Sequence, residues 1–160
     1  MNTAESKYIE NKAYLSRCAR EGTLALRESG MRRALEFGRE DEWLRCVKGD
    51  FPKYVPFLTE HCGLEFRGRI LEIGAGGAWL SAELSKQPRV VEIIATDSSP
   101  KLLKERAPRV FKMLNANAAK ITRMPGDFHA LDFPNNHFDF VVCSAVLHSA
   151  ANIVQVLREA

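Results

Sequence analysis

Arg69-Ile-Leu-Glu-Ile-Gly-Ala-Gly-Gly-Ala-Trp-Leu-Ser-Ala-Glu-Leu84 is the stretch on which the reading of this chain turns. Ile70, Leu71 and Ile73 make a short apolar run of the length of a buried strand. Gly74, Gly76 and Gly77 break the pattern. From Ala78 the period changes: Leu80 and Leu84 share a helical face and Ser81 and Glu83 lie off it, which predicts an amphipathic helix. Strand, glycine loop and helix together form the opening unit of a nucleotide-binding α/β sheet. The glycines allow positive φ and close approach of a ligand to the backbone. The helix start that follows offers free N–H groups to anionic groups.

Details of the loop separate the alternatives. A dinucleotide fingerprint of the form Gly-x-Gly-x-x-Gly/Ala, counted from Gly74, places Trp79 at its third small position, where bulk obstructs helix–strand packing. Glu72 also stands where a dinucleotide strand stays apolar. This disfavours a nicotinamide-dependent oxidoreductase without removing it. A phosphate-binding Walker loop needs a terminal Gly-Lys-Ser/Thr, which is missing.

Glu72-Ile-Gly74-Ala-Gly76 resembles motif I of the class I S-adenosylmethionine-dependent methyltransferases, with Ala78 at the family's third glycine. The resemblance implies that Glu72 orients the loop and the methionine end of the cofactor, and that Gly74, Ala75 and Gly76 pass beneath it. Val90 to Thr96 reads as a second apolar strand, ending in Asp97 about 20 residues past the loop. A carboxylate there can accept from both ribose hydroxyls; helix capping is the competing account, but Ser98 or Ser99 can cap before Pro100. Gly126-Asp127-Phe128-His129-Ala130-Leu131-Asp132-Phe133-Pro134 resembles the family segment Gly-Asp-x-x-x-Leu-Pro-Phe, with Asp132 in place of the proline. The resemblance implies that Asp127 accepts from the adenine amino group and that the Phe128 N–H meets a ring nitrogen; a turn-forming Asp127 is the plain alternative. Phe138 to Cys143 predicts a buried parallel strand. Just past it, the resemblance gives Ser144 a backbone contact to the cofactor and adds Ser98 to the cofactor-binding set. His148 is the candidate base in a plausible place, since imidazole titrates near neutrality, though a packing role competes. His61, Cys62, His129 and His137 lack metal-ligand spacing, so no metal is expected.

The remaining chain adds bounds. Its 160 residues are one domain's worth, and 46% hydrophobic with 27% charged residues reads as globular. A net charge of +3 with no basic block gives no nucleic-acid signature. Cys18, Cys46, Cys62 and Cys143 are scattered, and with no leader-like opening they point to reduced thiols and a cytoplasmic location. No run is long enough for a membrane span. Helices are expected over Ser6–Arg20, Met31–Phe37 and Asp41–Val47, and Asp50 is expected to cap the next one, with Pro52 in its first turn and Gly63 at its end. Tyr8, Tyr14 and Trp43 read as packing residues. Further helices are expected over Lys101–Ala118, broken near Pro108, and over Asn152–Glu159 through Ile153, Val156 and Leu157, with a short strand over Lys120–Met124.

These readings combine into an α/β, Rossmann-like, mostly parallel sheet of about four strands. Residues 1–66 form an N-terminal helical cap or lid, and residues 67–160 a methyltransferase core whose later strands are absent. The expected function is methyl transfer from S-adenosyl-L-methionine to a small molecule, with a non-catalytic cofactor-binding module as the alternative. The isolated chain is expected to lack much of the substrate pocket and to leave the strand Phe138–Cys143 with an open edge.

Overall fold

The apolar runs assemble into a parallel sheet. The computed structural model of the chain describes residues 6–13, 16 and 39–160. Among them the strands are β1 (Lys7–Tyr8), β2 (Gly68–Ile73), β3 (Val90–Asp97), β4 (Ile121–Pro125) and β5 (Phe140–Cys143), in the order β1-β4-β3-β2-β5. Every pairing is parallel. The chain steps outward from β2 to β3 to β4, then returns to lay β5 on the other side of β2. That reversal is a topological switch point, and the crevice at the carboxyl ends of β2 and β5 is where such sheets take ligands. Ile73 and Cys143 stand side by side there.

Alternation along β2 divides the core. Ile70 packs with Ile93, Ala95 and Ile121 on one face, while Leu71 and Ile73 join Ile94, Phe128 and Val156 on the other. The first face carries α1 (Arg39–Lys48), α2 (Tyr54–Glu60), α3 (Trp79–Leu84) and α4 (Ala107–Leu114); the second carries α5 (Ile153–Glu159).

Several expectations change. The start of the chain is not one helix: Lys7–Tyr8 pairs with Thr122–Arg123 of β4, and Lys12, Ala13 and Ser16 are helical. Buried Arg123 holds that short strand by donating to Ser6 O at 2.8 Å and, on its other side, to Leu103 O at 2.5 Å. Tyr14, the rest of that expected helix and Met31–Phe37 lie outside the described residues. Tyr8 and Trp43 pack against the core. Asp50 precedes a 3-10 turn (Phe51–Lys53) rather than capping by its side chain, and pairs with Lys53 instead. Gly63, at φ +66, follows the end of α2. The helix expected over Lys101–Ala118 is a π-turn (Leu102–Arg106) that runs into α4 and ends at Asn115 with φ 52. Pro108 has no N–H and crowds the carbonyl four residues back, and the wider turn accommodates both. Strand β4 starts and ends one residue later than expected. Helix α3 is buried all round, Ser81 at 0% and Glu83 at 6% exposure included, because Phe51 and Tyr54 cover Trp79 on its far side. On α5 the reverse holds: Val156 is buried, but Ile153 and Leu157 are exposed. Strand β5 is shorter than expected and half-buried, since among the described residues it is paired along β2 alone.

Candidate functional site

The turn after β2 carries two glycines in the left-handed region, each for its own reason. Gly74 has φ +65, and a Cβ there would fall 2.1 Å from Val146 Cγ2, so the loop and the segment after β5 touch. Gly76 has φ +54, yet a Cβ on it would meet nothing nearer than Leu102 Cδ1 at 4.0 Å. Positive φ is therefore required at both, but close protein packing only at Gly74; the surface above Gly76 is open to a ligand. Ala78 sits at φ 53, a conformation disfavoured for alanine, in the place of a third glycine. Gly77 is packed from outside by Trp43 of α1, whose ring Arg106 covers at 4.8 Å.

Glu72 points to the α3 face of the sheet, fully buried. Its Oε2 accepts from the Ser81 N–H at 2.9 Å and from the Ser81 hydroxyl. Burial pushes its carboxyl up to about 7, against the opposing pull of the Ser81 hydrogen bonds. Its contacts thus hold the start of α3 beneath the glycine loop.

Asp97 joins three parts of the site. Its Oδ2 accepts from the Gly76 N–H and its Oδ1 from the Ser99 N–H, both at 2.8 Å. Its backbone carbonyl accepts from the Gly126 N–H at 3.0 Å. The ends of β2, β3 and β4 are therefore tied at one residue, itself 6% exposed. Capping falls to Ser99, whose hydroxyl faces the Leu102 N–H at 3.4 Å.

Beyond β4, Asp127 Oδ1 accepts from the His129 backbone N–H at 2.9 Å and lies 3.0 Å from its ring Nδ1. Phe128 turns its ring into the second core cluster. A cavity of about 380 Å³ opens here, lined by Thr96, Met124, Gly126, Asp127, Leu131 and Phe133 among others, with Asn11 and Ala13 from the N-terminal segment on its wall. Small-molecule sites run from about 300 Å³ upward. Gly74, Ala75, Gly76, Asp97, Ser98 and Ser144 do not line it.

Ser144 and His148 follow β5, His148 in an exposed 3-10 turn (Leu147–Ser149). Among the described residues neither makes a side-chain hydrogen bond, so nothing orients the imidazole. Burial, and then the nearby Glu72 charge, push the Cys143 thiol up. Among the described residues no group of three or more His, Cys, Asp or Glu side chains is placed to hold a metal, and no helix is long and apolar enough to cross a membrane. Sequence reasoning considered His129 only as a metal ligand; besides nearby Asp127, its Nε2 meets the backbone N–H groups of Ala151 and Asn152, more than twenty positions away.

Residues 71–160 match the family described as methyltransferase domain. No curated protein sequence matches significantly. Similar folds occur in a Methanococcus maripaludis protein described as an S-adenosyl-L-methionine-dependent methyltransferase (24% identity, TM-score 0.61, 75% of this chain and 53% of that one). They also occur in a SAM-dependent methyltransferase from Aquifex aeolicus (20%, 0.55, 72% and 58%). A third is magnesium protoporphyrin IX methyltransferase from Synechocystis PCC 6803, solved with bound SAH (19%, 0.57, 82% and 65%). The chain spans between about half and two thirds of the length of these three. Since the family match takes in more than half of its residues, the chain belongs to the methyltransferase domain family.

Proposed function

We propose that this chain binds S-adenosyl-L-methionine across the carboxyl ends of β2, β3 and β4 and directs its methyl group to a small-molecule acceptor. The observation that carries the reading is the clasp between the Gly76 N–H and the Asp97 carboxylate, 2.8 Å long. It sets an open glycine surface beside a carboxylate at the switch-point end of the sheet. A carboxylate has about four acceptor sites, so holding two backbone N–H groups is compatible with accepting from ribose hydroxyls.

In this reading Gly74, Ala75 and Gly76 cradle the methionine end, and Glu72 holds that loop through Ser81 rather than touching the ligand. Ser144 follows Cys143, the partner of Ile73, and supplies a backbone contact beside the loop that Val146 already meets. Asp97 and Ser98 take the ribose. Asp127 and the Phe128 N–H take the adenine, with the 380 Å³ cavity at their side. The cofactor supplies a methyl group on a sulfonium, open to in-line displacement by a nucleophile, so the protein's part is alignment and exclusion of water. No partnered nucleophile or base is needed for that, and His148 is the one side chain to test as a proton acceptor.

Residues 67–160 serve as the core, and within residues 1–66 the cap role falls outside β1, which is itself a strand of the core sheet. Trp43 against Gly77, and Asn11 and Ala13 on the cavity wall, support a covering role for the first segment. The sheet end is the site of chemistry and the compartment is the cytoplasm. Titration calorimetry with S-adenosylhomocysteine and, separately, NAD tests the reading: binding of the first alone is expected, and a chain that takes NAD instead would overturn it. A radiolabelled methyl-transfer assay against metabolite pools then separates an enzyme from a cofactor-binding module that does not react.

A further inference from the structure

Helix α5 has little apolar purchase. Val156 is its one buried side chain, while Ile153, Val154 and Leu157 are 48%, 53% and 63% exposed. Polar ties to the turn after β4 place it instead. Gln155 Nε2 donates to His129 O at 2.6 Å, and Glu159 Oε2 accepts from the Leu131 N–H at 2.9 Å. The third tie is the His129 ring, 14% exposed. Its Nε2 faces two backbone N–H groups, Ala151 at 3.1 Å and Asn152 at 3.4 Å. A nitrogen met by two donors must be the acceptor. The hydrogen of the neutral imidazole is then on Nδ1, aimed at Asp127 Oδ1, 3.0 Å away. One ring thus joins the carboxylate proposed for adenine to the backbone where α5 begins.

We propose that His129, as its Nδ1–H tautomer, is a positioning residue that couples the Asp127 turn to the segment between β5 and α5. Engagement of a ligand at Asp127 then tightens the side of the site that carries Ser144 and His148. The inference rests on the cofactor reading above. It goes beyond it by making the acceptor side of the site respond to cofactor binding through a single imidazole.

Two substitutions split the ring's functions. His129→Asn keeps an amide donor near the Nδ1 position and loses the acceptor. His129→Gln reaches to the Nε2 position with an acceptor and loses the donor to Asp127. The measurements use the whole chain, with S-adenosylhomocysteine as the probe, amide hydrogen exchange at Ala151 and Asn152, calorimetry for affinity, and 15N spectra of the ring. In the unsubstituted protein the ring should show a protonated Nδ1 and a hydrogen-bonded, unprotonated Nε2; the opposite tautomer overturns the proposal. Ligand should slow exchange at Ala151 and Asn152 roughly tenfold, the scale of one hydrogen bond. In His129→Asn the ligand should bind without that slowing. In His129→Gln affinity should fall roughly tenfold while exchange without ligand stays slow. Equal slowing in the unsubstituted chain and in His129→Asn overturns the coupling and leaves the cofactor reading standing. An unsubstituted chain that does not bind S-adenosylhomocysteine overturns both.

Discussion

Replacing Asp97 by alanine tests the fold and the site in one variant, and the two effects can be computed apart. The side chain holds the Gly76 and Ser99 N–H groups at 2.8 Å each. Ser99 is 3% exposed, so its N–H has no ready access to water once the carboxylate is gone. Each donor left unsatisfied costs about 1–3 kcal/mol, and the Gly76 donor, being partly open, falls at the low end. The tie from Gly126 N–H to Asp97 O survives, because it is made by backbone. Destabilisation of about 2–4 kcal/mol should therefore follow, which for a chain of this size lowers Tm by roughly 5–15 °C. The ligand effect is separate. Charge-assisted bonds to ribose hydroxyls are worth about 1.5–3 kcal/mol, or roughly 10- to 150-fold in affinity. Thermal unfolding gives the first number. Titration calorimetry with S-adenosylhomocysteine, well below the lowered Tm, gives the second. A folded Asp97→Ala chain that binds with unchanged affinity refutes the ribose assignment, whatever its Tm.

The glycines should part company: Gly74→Ala drives a Cβ into Val146 and should destabilise the fold by about 2–4 kcal/mol, whereas the Cβ of Gly76→Val meets nothing nearer than Leu102 Cδ1 at 4.0 Å, and that variant should cost about 1–2 kcal/mol of backbone strain but lose most ligand affinity. Circular dichroism and calorimetry that both match the unsubstituted chain for Gly76→Val would show that this loop is not the cradle. Glu72 should make stability fall as pH rises from about 4.5 to about 7, since the unfolded chain ionises first and the folded carboxyl, pushed up to about 7, keeps its proton longer. The window is worth about 3 kcal/mol, and Glu72→Gln should flatten it; denaturant titrations at pH 5, 6, 7 and 8 with the same slope in both chains would count against the burial argument. His148→Ala should leave S-adenosylhomocysteine affinity intact, and if the imidazole accepts a proton it should lower the methyl-transfer rate; an unchanged rate assigns the residue no part in the chemistry.

Why the candidate site could be placed from sequence, while parts of the scaffold around it could not, follows from the distances involved. Each strand end presents its candidate residue within a few positions of a recognisable apolar run: Gly74 after Ile73, Asp97 after Thr96, Asp127 after Pro125. Periodicity finds the run, and residue chemistry then narrows the role. Strand β1 gave no such signal, because two residues, one of them exposed Lys7, are too few to show a period. Its place depends on Arg123 of the neighbouring β4, which reaches Ser6 across a separation of 117 positions in the chain. The same limit explains α3. A helix pattern reports which face is apolar, not how many faces are covered, and Ser81 and Glu83 read as solvent residues until their partners are known. Glu72 supplies one partner, nine positions earlier, and Lys86 the other at 2.6 Å. His129 is the sharpest case. Its spacing to other histidines and cysteines gave no reason to expect a metal ligand, but that test asks only about side chains. The groups that define its tautomer are the backbone N–H groups of Ala151 and Asn152, which carry no sequence identity at all. A residue that acts by receiving main-chain donors from a distant turn cannot be read from composition or spacing. It becomes visible once β5 has returned beside β2 and brought the start of α5 against the turn that follows β4.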